Sequence, residues 1–140
     1  MQLEFQTTQK IYENNRDLQD PEKARIFSKA ITNPGELSLD EGIVAASMVI
    51  NFLNEWEDRY WIDRAGLTEA LDWQRHIREN IEWTLGSRFA IETYRSNKGA
   101  FEAEFTDYVD SLLEGVATDG TVTWWTDLQA EIQSPELAGN

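Results

Sequence analysis

His76 is the only histidine in the chain. In a helical register it follows Asp72 by four residues and precedes Glu79 by three, so all three side chains face one way. Two carboxylates and an imidazole are a legitimate set of metal ligands, and a carboxylate beside the ring raises its pKa for acid–base work. The rest of the sequence narrows this chemistry sharply. A di-iron bundle needs Glu-x-x-His from two helices, and a three-histidine zinc site needs three rings. One histidine supplies neither. Arg75 and Arg78 adjoin the trio and pair naturally with its carboxylates. A histidine within a surface charge ladder is the ordinary reading. No catalytic residue, cofactor or metal is assigned, and Asp72, His76 and Glu79 remain the candidates of an alternative enzyme reading.

Other chemistry is hard to place. Paired carboxylates such as Glu55/Glu57/Asp58 and Glu102/Glu104 abound, but 26 of 140 residues are acidic. In such a chain these pairs arise by chance and say little about catalysis. No phosphate-cradling glycine loop, dinucleotide fingerprint or nucleophile elbow is present. With no cysteine, disulfides, thiolate nucleophiles and cysteine-based zinc sites are excluded.

Residues suited to binding are easier to find. Trp73, His76, Asn80 and Trp83 form a stripe beside the apolar row of their own helix. Tryptophan is favoured at interface hot spots, so Trp73, His76 and Trp83 are candidate partner-binding residues. The competing reading is that neighbouring helices cover them. Trp124 and Trp125 lie in a purely acidic third: residues 99–140 hold nine carboxylates and no base. That segment either docks on a basic or apolar partner groove or folds back so that the two indoles close the bundle. Trp56, Tyr60 and Trp61 read as core. Asn51 and Asn54 either bond across helices or face water.

The elements that must position these residues are helices. Asp20-Pro21-Glu22 is an N-cap with proline at the first helical position, opening a helix to Ile31. A helix is also expected from Leu3 to about Leu18. Asn33-Pro34-Gly35 is a stop and turn. Ser38-Leu39-Asp40-Glu41 fits the capping box and starts the longest helix, to about Asp63. Along it Leu39, Ile43, Ala46, Ile50, Leu53 and Tyr60 form one apolar row, and Ala45, Val49, Phe52 and Trp56 form the next. A helix apolar over most of its girth packs on several sides, so this one is the expected centre of the fold. Arg64-Ala65-Gly66 ends it. Thr68 then caps a helix from Glu69 to Leu85, with Leu71, Ile77, Ile81 and Leu85 as core and Gly86 as the terminal glycine. Ser87 caps a shorter helix through Tyr94, and residues 96–99 read as a loop. Phe101, Phe105, Tyr108, Val109 and Leu112 recur at helical spacing up to Gly115. Asp119-Gly120 marks a turn, residues 121–125 a short strand or cap, and Thr126 to Gln133 a final helical segment.

Length and composition bound the whole. At 140 residues with 41% hydrophobic content, one domain with a sizeable core is expected, and full disorder is not. The net charge of −14 repels nucleic acid and anionic lipid and favours cationic partners. No segment has the roughly 20 apolar residues of a membrane span. The N-terminus lacks the basic and apolar regions of a secretory signal. The expected setting is cytoplasmic, including the cytoplasmic face of a membrane.

The run from Leu37 to Glu114 resembles a loosely defined group of small bacterial membrane-anchored proteins. Their cytoplasmic part is a helical domain that follows one or two transmembrane helices. The resemblance rests on Leu37-Ser-Leu-Asp-Glu41, Leu53-Asn54-x-Trp-Glu57, Tyr60, Gly66-Leu67, Trp73, Gly86-Ser-Arg88 and the run from Phe101 to Asp110. These are mostly packing and capping residues, and this chain lacks the membrane segments. The resemblance implies a helical fold and no particular activity.

The reading is an all-α bundle of four to six helices around a central helix at about 39–63. Residues 1–116 form the bundle and 117–140 an acidic, tryptophan-containing extension. The expected function is a non-enzymatic protein-interaction or regulatory domain, homo-oligomeric, with a protein partner of basic character and no direct nucleic acid. The alternatives are an acidic decoy that occupies a partner's basic nucleic-acid groove, and the enzyme centred on His76.

Overall fold

Asp20 accepts a hydrogen bond from the Glu22 amide at 2.9 Å, and Pro21 follows with no donor to satisfy. That start signal opens the first complete helix of the computed structural model, which describes residues 16–66, 73–116 and 124–134. Residues 16–19 are helical, and six full helices follow: α1 Pro21–Thr32, α2 Leu39–Arg64, α3 Trp73–Leu85, α4 Arg88–Asn97, α5 Ala103–Leu113 and α6 Trp124–Ile132. Single 3₁₀ turns, Pro34–Glu36 and Lys98–Ala100, link α1 to α2 and α4 to α5. The fold is an all-α bundle with no strand among the described residues. The expected helix over 3–18 and the turn at 119–120 fall largely or wholly outside the described residues.

The central position of α2 follows from its start, its girth and its stop. At the start, Glu41 donates its amide to the Ser38 hydroxyl and accepts the Ser38 amide in return, at 3.2 and 3.0 Å. The same carboxylate takes Lys29 at 3.0 Å and Arg25 at 3.1 Å, tying α1 to the beginning of α2. These hydrogen bonds, the Ser38 amide first and Lys29 next, hold the Glu41 carboxyl at about 2. At its end the chain leaves through Gly66, whose φ of 71° lies in the left-handed region that glycine enters without cost. Between the two, Ala45, Val49, Phe52, Leu53, Trp56 and Tyr60 are buried.

Helices α1, α3 and α4 pack most extensively on α2. Ile77, Ile81 and Leu85 of α3, Ile91 and Tyr94 of α4, and Phe105 and Val109 of α5 complete one continuous core. Tyr60 joins α2 to α5 through Phe105, ring centroids 5.8 Å apart. Glu57 caps α5 from outside by accepting the Glu102 amide at 2.9 Å, a carboxylate at the positive end of a helix dipole. A tighter join links α3 to α4: a side chain at Gly86 would collide with the Glu82 carbonyl. Gly86 is therefore needed for close backbone approach, whereas its spacing suggested a left-handed cap; among described glycines only Gly66 has positive φ.

Two boundaries and one row depart from expectation. The fourth helix runs three residues past Tyr94 because Asn97 donates back to the Thr93 carbonyl at 2.8 Å. The sixth begins at Trp124, two residues before the expected Thr126. The larger correction concerns the first apolar row of α2. Leu53 and Tyr60 are buried and Ile50 is partly so, yet Leu39 is 80% exposed and Ile43 58%. Helices α1, α3 and α4 reach the flank that carries Ala45, Val49 and Phe52 and leave the opposite flank of the first turns open. Trp61, expected in the core beside Trp56 and Tyr60, is 38% exposed and stands edge-on to Tyr60 at 5.1 Å.

Candidate functional site

The exposed face of α2 is the feature that packing within the fold does not account for. Ile43 and Trp61 are 18 residues apart, five turns of a regular helix, so they share one line about 27 Å long. Ile50 and Asn54, both partly buried, lie between them on that line. Leu39 extends it at the N-terminal end. Exposed Asp40 and exposed Arg64 flank its two ends. Arg64 reaches Glu104 at 2.6 Å and lies over the Tyr60 ring at 5.8 Å. The hydroxyl of Tyr60 also donates to Glu104, at 2.8 Å.

Beside the N-terminal half of this line lies an open groove of about 410 Å³. Its floor is Pro34, Gly42, Ala46 and Phe89, and its rim carries Arg88 and Glu92. Ser87 sets this geometry: its hydroxyl accepts the Ala90 amide and starts α4 there, leaving Phe89 half-buried against α2. Glu92 pairs with Arg95 at 3.2 Å. Arg88 is exposed and forms no ion pair among the described residues. A second cavity, lined by Arg16, Asp17, Gln19, Asp20 and Lys23, is polar, and its Asp17 and Lys23 pair with each other at 2.8 Å.

Buried charge sits elsewhere. Arg59 and Glu55 pair one turn apart on α2 at 3.4 Å, both largely out of solvent. Among the described residues Arg59 Nε has no hydrogen-bond partner, and burial pulls the guanidinium below its usual pKa. On α4, Tyr94 donates to Asp110 at 2.9 Å, and Lys98 pairs with the same carboxylate. Burial first, then Asp110, pushes the phenol upward. The Tyr94–Asp110–Lys98 set joins α4 to α5, whereas the Arg59–Glu55 pair lies within α2. None of these groups is arranged as a nucleophile with a base.

The predicted site residues separate as follows. Trp83 is partly buried, its ring 6.1 Å from Phe27 and 5.8 Å edge-on from Phe52, so it seams α1, α2 and α3. Glu79 is exposed and accepts from Arg75 Nε at 2.8 Å, the pairing its spacing suggested. Asp72 lies outside the described residues. So do the side chains of Trp73, His76, Trp124 and Trp125, although all four positions are helical. Among the described residues no three His, Cys, Asp or Glu side chains gather as metal ligands. On α6, Leu128 and Ile132 are exposed, as are Asp127 and Glu131. Among the described residues the bases are spread from Arg16 to Lys98, and most are paired with acids.

Sequence reasoning missed the α2 face because it assigned Leu39 and Ile43 to the core. The signal was present in the row itself. Over about six turns its outer flank runs Leu39, Ile43, Ser47, Asn54 and Trp61, too polar in the middle for a buried face and too apolar at both ends for an ordinary solvated one. Among the described residues no helix is long and apolar enough to cross a membrane. The chain matches no family model, no curated protein and no solved structure.

Proposed function

We propose that this chain is a non-enzymatic protein-interaction domain whose docking surface is the exposed line of α2 with the groove beside it. The observation that carries the reading is the exposure of Leu39 and Ile43 on a helix whose other flank is fully packed. Leu39 and Ile43 form an exposed apolar patch rimmed by polar groups, and such a patch is how an interface presents itself on an isolated subunit. Burying two such aliphatic side chains contributes about 1.5–3 kcal/mol each. The acidic third supports a second attachment, to a cationic partner: Asp127 and Glu131 point outward beside exposed Leu128 and Ile132, and no base follows Lys98. A homo-oligomer in a cytoplasmic setting belongs to the same proposal.

The test is a Leu39→Glu, Ile43→Glu double variant. Both positions are exposed, so its helix content and melting temperature should stay close to the parent's. Chemical cross-linking in native extract, read by mass spectrometry, should recover contacts at α2 with the parent chain and lose them with the variant. Identical cross-links from both proteins would overturn the assignment of the surface.

A further inference from the structure

The exposed line of α2 has a palindromic spacing. Ile43, Ile50, Asn54 and Trp61 are separated by seven, four and seven residues. Reversing the helix maps Ile43 onto Trp61 and Ile50 onto Asn54. The ends obey the same symmetry, because Asp40 maps onto Arg64 and Leu39 onto Ala65. The outer pairs, Ile43 with Trp61 and Asp40 with Arg64, are complementary in character, as a two-fold, isologous interface requires.

We propose that the occupant of the docking surface is a second copy of this chain, with the two α2 helices antiparallel and Trp61 of each copy seated over Ile43 of the other. This rests on the reading of α2 as an interaction face and goes further by naming the partner and the register. Three observations support it. The first is the pairing of a projecting aromatic with a hollow. Trp61 is partly exposed at one end of the line. The open groove floored by Gly42, Ala46 and Phe89 adjoins Ile43 at the other. The small residues Gly42 and Ala46 let an indole approach the helix closely, and a tryptophan in a desolvated pocket is the usual form of a hot spot. Arg88, which forms no ion pair among the described residues, stands on the groove rim and can cover the ring with its guanidinium.

The second is charge. Asp40 is exposed and forms no ion pair among the described residues. The reversed register brings it to Arg64 of the second copy, whose guanidinium keeps donors beyond those used on Glu104. The antiparallel arrangement also sets the negative end of each helix dipole beside the positive end of the other. The third is size. One helix from each copy places the contact at the small end of the interface range, under about 1,200 Å² in total. The dimer is accordingly weak and forms at micromolar concentration rather than being obligate, which suits a chain whose own core is already complete.

Because the chain contains no cysteine, introduced thiols report the register cleanly. Single Asp40→Cys and Arg64→Cys variants, mixed and treated with a short bifunctional thiol reagent, should give a covalent heterodimer. Each variant alone should give no covalent dimer, since like positions 40 stand about 36 Å apart along the paired helices at 1.5 Å per residue. Cross-linking of Asp40→Cys with itself would indicate a parallel pair and overturn the register. Absence of any cross-linked dimer across the micromolar range, with the parent sedimenting as a monomer throughout that range, would overturn the second copy as occupant. Trp61→Ala should weaken dimerisation at least tenfold, whereas Trp61→Phe, which keeps a ring for the groove, should lose less. Failure of both alongside loss of α2 contacts in the Leu39→Glu, Ile43→Glu variant would leave the docking surface in place with a different partner.

Discussion

At the residue scale, Glu41 does the most for the least surface. It completes the capping box of α2 and binds Lys29 and Arg25 from α1. Its carboxyl titrates at about 2 in the fold against an ordinary 4.5. A depressed carboxylate stabilises the fold above its unfolded pKa, and that contribution fades as pH falls through the folded value. Glu41→Gln should therefore lower the melting temperature at neutral pH, with the gap to the parent closing between about pH 4.5 and 2. A gap that stays constant across this range would mean the ion pairs contribute nothing. The buried pair on α2 predicts a larger loss. Arg59→Ala strands Glu55 out of solvent without its guanidinium and should cost about 3–5 kcal/mol in chemical denaturation. Leu53, with no exposed surface, should cost about 2–5 kcal/mol as Leu53→Ala.

At the element scale, caps were the most legible feature of the sequence. Asp20-Pro21, the Ser38–Glu41 box and Ser87 each start a helix within a residue of where hydroxyl and carboxylate chemistry places them. Interior boundaries and facing were less legible. The α4 end depends on an Asn97 side chain turning back to a carbonyl, and the sense of the outer flank of α2 depends on which neighbours arrive. Periodicity gives the width of an apolar stripe, but two adjacent rows on one helix look alike until three other helices choose between them. That is why Val49 and Leu39 received the same reading although one is buried and the other exposed. The α2 stop makes a separate prediction. Gly66→Ala forces a side chain into the left-handed region with open space around it, so the cost is conformational alone, about 1 kcal/mol.

At the scale of the whole molecule, composition excluded much of the chemistry, and geometry supplied the surface. The lone histidine and the missing cysteines narrowed catalysis before any fold was known. The place where the molecule meets a partner was visible only once the core had been filled and three large hydrophobic residues of α2 remained outside it. Within the acidic third, α5 belongs to the bundle through Phe105 and Val109, and the part from residue 117 onward is expected to serve attachment instead. Deleting residues 117–140 should leave a cooperative unfolding transition and weaken binding to a cationic partner, more at low salt than at high. Unfolding on deletion would place the tail in the core instead.

The claim that α2 docks a second copy of this chain is tested most directly by sedimentation equilibrium of the parent chain across the micromolar range, beside Leu39→Glu, Ile43→Glu. The account predicts a parent whose apparent mass rises with concentration from one chain toward two, and a folded variant that stays at one. Equal masses for the two proteins at every concentration, whether both monomeric or both dimeric, would contradict it.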